Sequence, residues 1–124
     1  MSHALATFRD LVKVHGSTHT YVRGEQSVSL SAVPGRREYR VLDADGVLTT
    51  FSSHDRVVAA EDLVIDDTRL TPQRGDVIQQ TVDGQVHTFH VQFPDPNQPP
   101  YRWSDDVGRV LVIHTVFAGT APAE

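Results

Sequence analysis

Cysteine is absent from the 124-residue chain. That absence removes thiol nucleophiles, disulfide cross-links, iron–sulfur clusters and thiolate zinc sites together, and it leaves the redox compartment open. Lysine is nearly absent too: ten of the eleven basic residues are arginine and only Lys13 is lysine, a bias of the kind GC-rich coding produces. No apolar run approaches the roughly 20 residues that a membrane-spanning helix needs. The N-terminal Met1-Ser2-His3-Ala4 lacks the charged and apolar regions of a signal peptide, so the sequence predicts a soluble protein with no membrane partner. Positive charge is in the minority, with sixteen acids against eleven bases and a formal charge of −5. Ordinary nucleic-acid binding by phosphate neutralisation is thereby disfavoured. Neither the glycine spacing of a phosphate loop nor that of a dinucleotide site occurs.

Catalytic constellations are also missing. Of the seven histidines only His87 and His90 are close in sequence, and on a strand those positions face opposite ways, so they cannot share a metal ion. His114 lies in an apolar run without a serine or aspartate motif beside it and reads as an interior, hydrogen-bonded histidine. The acidic pairs Asp43 and Asp45, Glu61-Asp62, Asp66-Asp67 and Asp105-Asp106 all sit beside turn residues, which suits turn formation better than acid–base work across a cleft. The Arg74-Gly75-Asp76 tripeptide reads as a tight bend after Pro72. Arg36, Arg37 and Arg40 form the one basic cluster, with Arg36 and Arg40 on one strand face. The sequence predicts no enzyme, no cofactor and no metal.

What is present is the pattern of one small, mainly β module, residues 1–124, in which roughly 65% of the unfolded surface can be buried. Residues 1–16 are expected to hold a short N-terminal helix. Leu5, Phe8, Leu11, Val12 and His15 fall three and four apart from Ala4 to His15, and Gly16 ends the segment. The apolar stripe must dock either on the rest of the chain or on a neighbour, with Arg9, Asp10 and Lys13 on the polar side.

Residues 17–117 carry short runs rich in Val, Thr, Tyr and Phe separated by turn residues, the pattern of a β-barrel or sandwich. Strands are expected at His19–Arg23, Ser27–Val33, Arg37–Leu42, Val47–Ser52, Arg56–Ala59, Val77–Val82, Gln85–Phe93 and Arg109–Phe117. Asp83-Gly84 is a two-residue hairpin signal that sets Val82 against Gln85 and Ile78 against Phe89, with Phe89, Val91 and Phe93 on the core face. The Asp43–Gly46 turn leaves its register open. Val110-Leu111-Val112-Ile113 is apolar on both faces and reads as a central strand, while residues 118–124 read as a flexible tail.

The longest irregular segment holds four of the seven prolines, Pro94, Pro96, Pro99 and Pro100, and runs into Tyr101, Arg102 and Trp103. Prolines lower the entropy cost of holding a loop in one shape, and Tyr, Arg and Trp are the residue types most enriched at interface hot spots. Candidate interface residues are therefore Leu5, Phe8, Leu11 and Val12 on the helix with Pro94, Pro99, Tyr101, Arg102 and Trp103 on this loop. The competing expectation is that Trp103 folds back to cover one end of the barrel, as part of the core.

Ala59-Ala60-Glu61-Asp62-Leu63, then Leu70-Thr71-Pro72-Gln73-Arg74-Gly75-Asp76-Val77-Ile78, the Asp83-Gly84 hairpin, Thr88-Phe89-His90-Val91 and the run Arg109 to Thr115 resemble, in order and spacing, the lambda-type head-tail joining proteins of tailed bacteriophages. The resemblance to this stopper or head completion family extends over roughly Ser17 to Phe117 and centres on a "Pro-x-x-Gly-Asp" turn before a hairpin. It implies a non-enzymatic virion subunit, assembled in the host bacterial cytoplasm, that forms a ring, typically a hexamer. Its partners would be the portal or adaptor above and the tail terminator or tail tube below, with DNA passing through the channel without specific binding. The rival readings are a tail terminator or tail tube subunit, or a small barrel that binds oligonucleotide or carbohydrate. The last would want exposed aromatics beside basic residues on a sheet face.

Overall fold

The computed structural model describes residues 3–35, 37–42, 44–93, 97–104 and 108–122, the backbone alone being described at His3, Ala4, Arg37, Tyr39, Val41, Phe51 and Ser53. It is mainly β with one short helix, α1 at His3–His15. The strands are β1 (Ser17–Arg23), β2 (Gln26–Pro34), β3 (Arg37–Leu42), β4 (Leu48–Ser53), β5 (Arg56–Ala59), β6 (Val64–Ile65), β7 (Thr68–Arg69), β8 (Val77–Val82), β9 (Gln85–Val91), β10 (Tyr101–Trp103), β11 (Val110–Ile113) and β12 (Thr115–Pro122).

Gly16 stops the helix for a steric reason. Its N–H donates to the Val12 carbonyl at 3.0 Å, and a Cβ there would lie 2.7 Å from Val12 backbone atoms. The chain then turns directly into β1.

Eight strands form one antiparallel sheet in the order β10-β11-β5-β2-β1-β8-β9-β12, while β3–β4 and β6–β7 are separate two-stranded ribbons. The sheet curls round a single apolar layer built from Tyr21, Leu30, Ala32, Val58, Ile78, Phe89, Val91, Leu111 and Ile113. Helix α1 covers part of the opposite face: Phe8 packs on Ala59 and Val110, flanked by Leu5, Val12, Val33 and Val57. Strand β11 is thus apolar on both faces because one faces the core and the other the helix, and all four of its residues are buried. The expected central strand is explained by this two-sided cover.

The Asp83-Gly84 hairpin has the expected register, with Val82 opposite Gln85 and Ile78 opposite Phe89. Both turn residues have positive φ, 52° and 79°, the conformation a two-residue turn demands. Asp66 and Asp67 make a second such turn between β6 and β7, at 53° and 62°. In the β3–β4 ribbon Leu42 pairs with Leu48, which fixes the register that the turn sequence left open.

Four expectations are corrected. The sheet does not close into a barrel: β10 and β12 are its two edges. Pro99 and Pro100, next to the three-residue β10, have no N–H to give to a closing ladder. The run Arg109–Phe117 is two strands, not one, broken at His114, where the chain steps from the β5 side of the sheet to the β9 side. The final strand does not stop at Phe117 with a tail from 118; β12 pairs with β9 as far as Pro122 opposite Gln85, with a shift in register between Phe117 and Gly119. Phe93 lies beyond the end of β9 and is half-buried, its ring 4.8 Å from that of His114.

Phe89 is the best probe of this core. It is buried, its ring meets Phe117 at 5.5 Å, and the Arg56 guanidinium lies 4.1 Å over it. Phe89→Ala should cost about 3 to 5 kcal/mol, read as a fall in the thermal midpoint; an unchanged midpoint would contradict the observed register.

Candidate functional site

The turn that leads into β8 is organised by one buried carboxylate. Asp76 accepts a hydrogen bond from the Tyr21 hydroxyl, two from Arg23 (Nε at 3.0 Å and Nη2 at 2.7 Å) and one from the Gln73 N–H at 3.0 Å. Its own backbone joins the same knot: its N–H donates to the Gln73 carbonyl, and its carbonyl accepts from Val91. Arg23 reaches one residue group further, to the Thr71 carbonyl at 2.7 Å. Gly75 takes a φ of 96°, open to glycine and strained for other residues. The Arg74-Gly75-Asp76 tripeptide is therefore a structural bend, since its aspartate side chain points inward.

Burial alone would raise the Asp76 carboxyl, but the hydrogen bonds from Arg23, Tyr21 and Gln73 outweigh it and hold the group below the usual carboxylate range. The same contacts act oppositely on Tyr21, whose hydroxyl burial and the neighbouring carboxylate push far up, so it remains a donor.

This turn forms one wall of an exposed cleft of about 120 Å³. Leu70, Thr71 and Pro72 line that wall, Tyr101 and Trp103 of edge strand β10 line the other, and Ala60 and Leu111 lie between them. Arg69 stands at the rim. Trp103 is 45% exposed, so it is neither a core residue nor detached from the sheet. Its ring stands edge-on to Tyr101 at 6.4 Å, and a Cβ added to Gly108 would touch it at 3.7 Å. Tyr101 is half-buried against the core, whereas Arg102, on the alternate side of β10, is exposed. Pro99 is exposed, and Pro94 lies outside the described residues.

The helix residues do not join this cleft. Phe8 is buried and Leu5 and Val12 are half-buried on the chain's own sheet, so they dock the helix internally; Leu11, expected on the docked stripe, is 44% exposed. Arg9, expected on the solvent side, pairs with Glu61 at 2.8 Å and Asp62 at 2.9 Å, pinning the helix to the turn after β5. A different apolar group, absent from the expectations, stands at the tip of the β3–β4 ribbon: Leu42, Val47 and Leu48 are 67%, 56% and 57% exposed. The alternation of that segment looked like ordinary strand, and only the separation of the ribbon from the main sheet exposes its tip.

Other candidates resolve as structure. His114 Nδ1 lies 2.9 Å from Asp55 Oδ1 with both residues buried, which pins the step between β11 and β12 and shuts the pair away from substrate. His90 is exposed and His87 half-buried against Phe117. Arg40 is exposed; Arg36, Asp43, Asp105 and Asp106 lie outside the described residues. Among the described residues no three metal-ligating side chains gather, and no helix is long and apolar enough to cross a membrane.

A family model described as phage head-tail joining protein matches residues 1–122. The chain belongs to that family. No curated protein matches it. For a head-tail joining protein the relevant parts are surfaces that meet capsid and tail components in the virion. The "Pro-x-x-Gly-Asp" element of this joining protein works through the Asp76 knot, which shapes one wall of the cleft.

Because the folded Asp76 carboxyl titrates below its unfolded value of about 3.9, its contribution is present above pH 4 and is lost as pH falls through the folded value. Thermal midpoints should therefore drop steeply in acid. Asp76→Asn should lower the midpoint at pH 7 and flatten this acid limb; a variant with the parent's acid profile would contradict the assignment.

Proposed function

We propose that this joining protein is the head completion or stopper subunit of the neck, a ring, typically six-fold, between the portal or its adaptor and the tail, through which DNA passes. The family match along residues 1–122 carries the reading. The fold supports it: the core uses one face of the sheet and the helix part of the other, which leaves the Trp103 cleft and the ribbon tip available to neighbours. The formal charge of −5 suits a conduit that does not hold phosphate, and it also makes identical free subunits repel one another. The subunit is active through contact alone, with no catalytic step.

Phage carrying a nonsense codon in this gene should accumulate filled heads and free tails, and adding the purified protein should join them. Intact heads with malformed or overlong tails would instead mark a tail terminator or tube subunit. Purified protein at micromolar concentration should sediment as a monomer; a stable hexamer in low salt would contradict assembly on the particle.

Trp103→Ala separates interface from core. The side chain is nearly half exposed, so its loss should cost about 1 kcal/mol or less in stability while abolishing head-tail joining. A large fall in the thermal midpoint would return Trp103 to the core.

A further inference from the structure

We propose that the tip of the β3–β4 ribbon of one subunit seats in the Trp103 cleft of the next, a head-to-tail contact between copies of this chain; the inference rests on the ring reading above. Leu42 and Leu48 are directly paired, so they share one face of the ribbon, and Val47 adjoins them. Single exposed apolar residues are ordinary, but a group of three at one projecting tip marks a contact surface. The cleft offers the matching hollow. Its volume of about 120 Å³ approaches the cavity, on the order of 150 Å³, that removal of one large aliphatic side chain opens. It therefore has room for one leucine.

Charge agrees with shape. Asp45 is exposed at the tip, and Arg69 is exposed at the rim of the cleft. Opposite charges at the edge of an apolar contact fix its register and disfavour the reversed arrangement.

Placement decides the symmetry. The ribbon leaves the sheet at the Asp55 end of β5, where the Gly35 N–H donates to the Asp55 carbonyl at 2.8 Å. The cleft begins at Ala60, just beyond the other end of that strand. Knob and hollow are thus different patches of one molecule. A contact between different patches repeats from copy to copy and gives a ring when the rotation closes, whereas a contact between like patches stops at two. The knob is small, which fits a ring that forms only on a template.

The cysteine-free chain makes the test direct. In particles that carry Leu48→Cys with Thr71→Cys, two exposed positions, a short bismaleimide should yield a ladder of covalent multimers, and either single variant should yield monomer alone. Monomer alone from double-variant particles that hold the protein and carry tails would overturn this contact and leave the ring reading intact. Absence of the protein from tailed particles would overturn the ring reading and the contact with it. Dimers from Leu48→Cys alone would show tip meeting tip and also overturn it. Asp45→Arg and Arg69→Asp provide an independent measurement: each should reduce the yield of tailed particles and their combination should restore it. No restoration by the pair would count against the contact.

Discussion

Asp76 sits below the surface, and three parts of the chain meet on it: β1 through Tyr21 and Arg23 and the bend after Pro72 through Gln73, all on its carboxylate, and β9 through the Val91 N–H on its backbone carbonyl. A buried charge of this kind is costly unless every lone pair is used, and here four donors reach the two oxygens. The bend is consequently held in one shape. Since Leu70, Thr71 and Pro72 form a wall of the cleft, the geometry of an exposed surface depends on hydrogen bonds to a buried carboxylate.

The second constraint is the seam of the sheet. Strands β11 and β12 are separated in sequence only by His114, yet they lie at positions far apart in the sheet order. The chain makes that step where His114 meets Asp55, and the neighbouring backbone bonds from His54 to Thr115 and from His114 to Pro100 hold the two sheet edges near each other without a ladder. A sheet left open along this seam has β10 as a short edge beside prolines. Short edges and prolines are among the devices that keep exposed strands from pairing indiscriminately. The aromatic pair on β10 can then serve a specific contact.

The parts of the fold readable in the sequence were those with local causes. The helix followed from apolar spacing and Gly16, the β8–β9 hairpin from Asp83-Gly84, and the buried β11 from its unbroken apolar run. What escaped had distant causes. The break at His114 is hidden inside a run of strand formers, because it depends on where each half finds a partner, β5 for one and β9 for the other. Residues beyond Phe117 looked like a tail because small residues and a proline carry no strand signal, yet β9 offered them an edge.

Among the site residues the same division holds. Tyr101, Arg102 and Trp103 are interface candidates by residue type and lie on one edge strand, whereas the exposure of Leu42, Val47 and Leu48 is not legible, since they fit an ordinary hairpin until the ribbon is seen apart from the sheet. Of the helix residues expected at an interface, Leu5, Phe8 and Val12 pack on the chain's own sheet and Leu11 is exposed. The central claim is that this fold is a layer of the neck. A reconstruction of the neck of intact virions by electron cryo-microscopy tests it most directly. The account predicts a ring of this eight-stranded sheet between the portal or its adaptor and the tail; density for the fold confined to the tail tube, or absent from the neck, would contradict it.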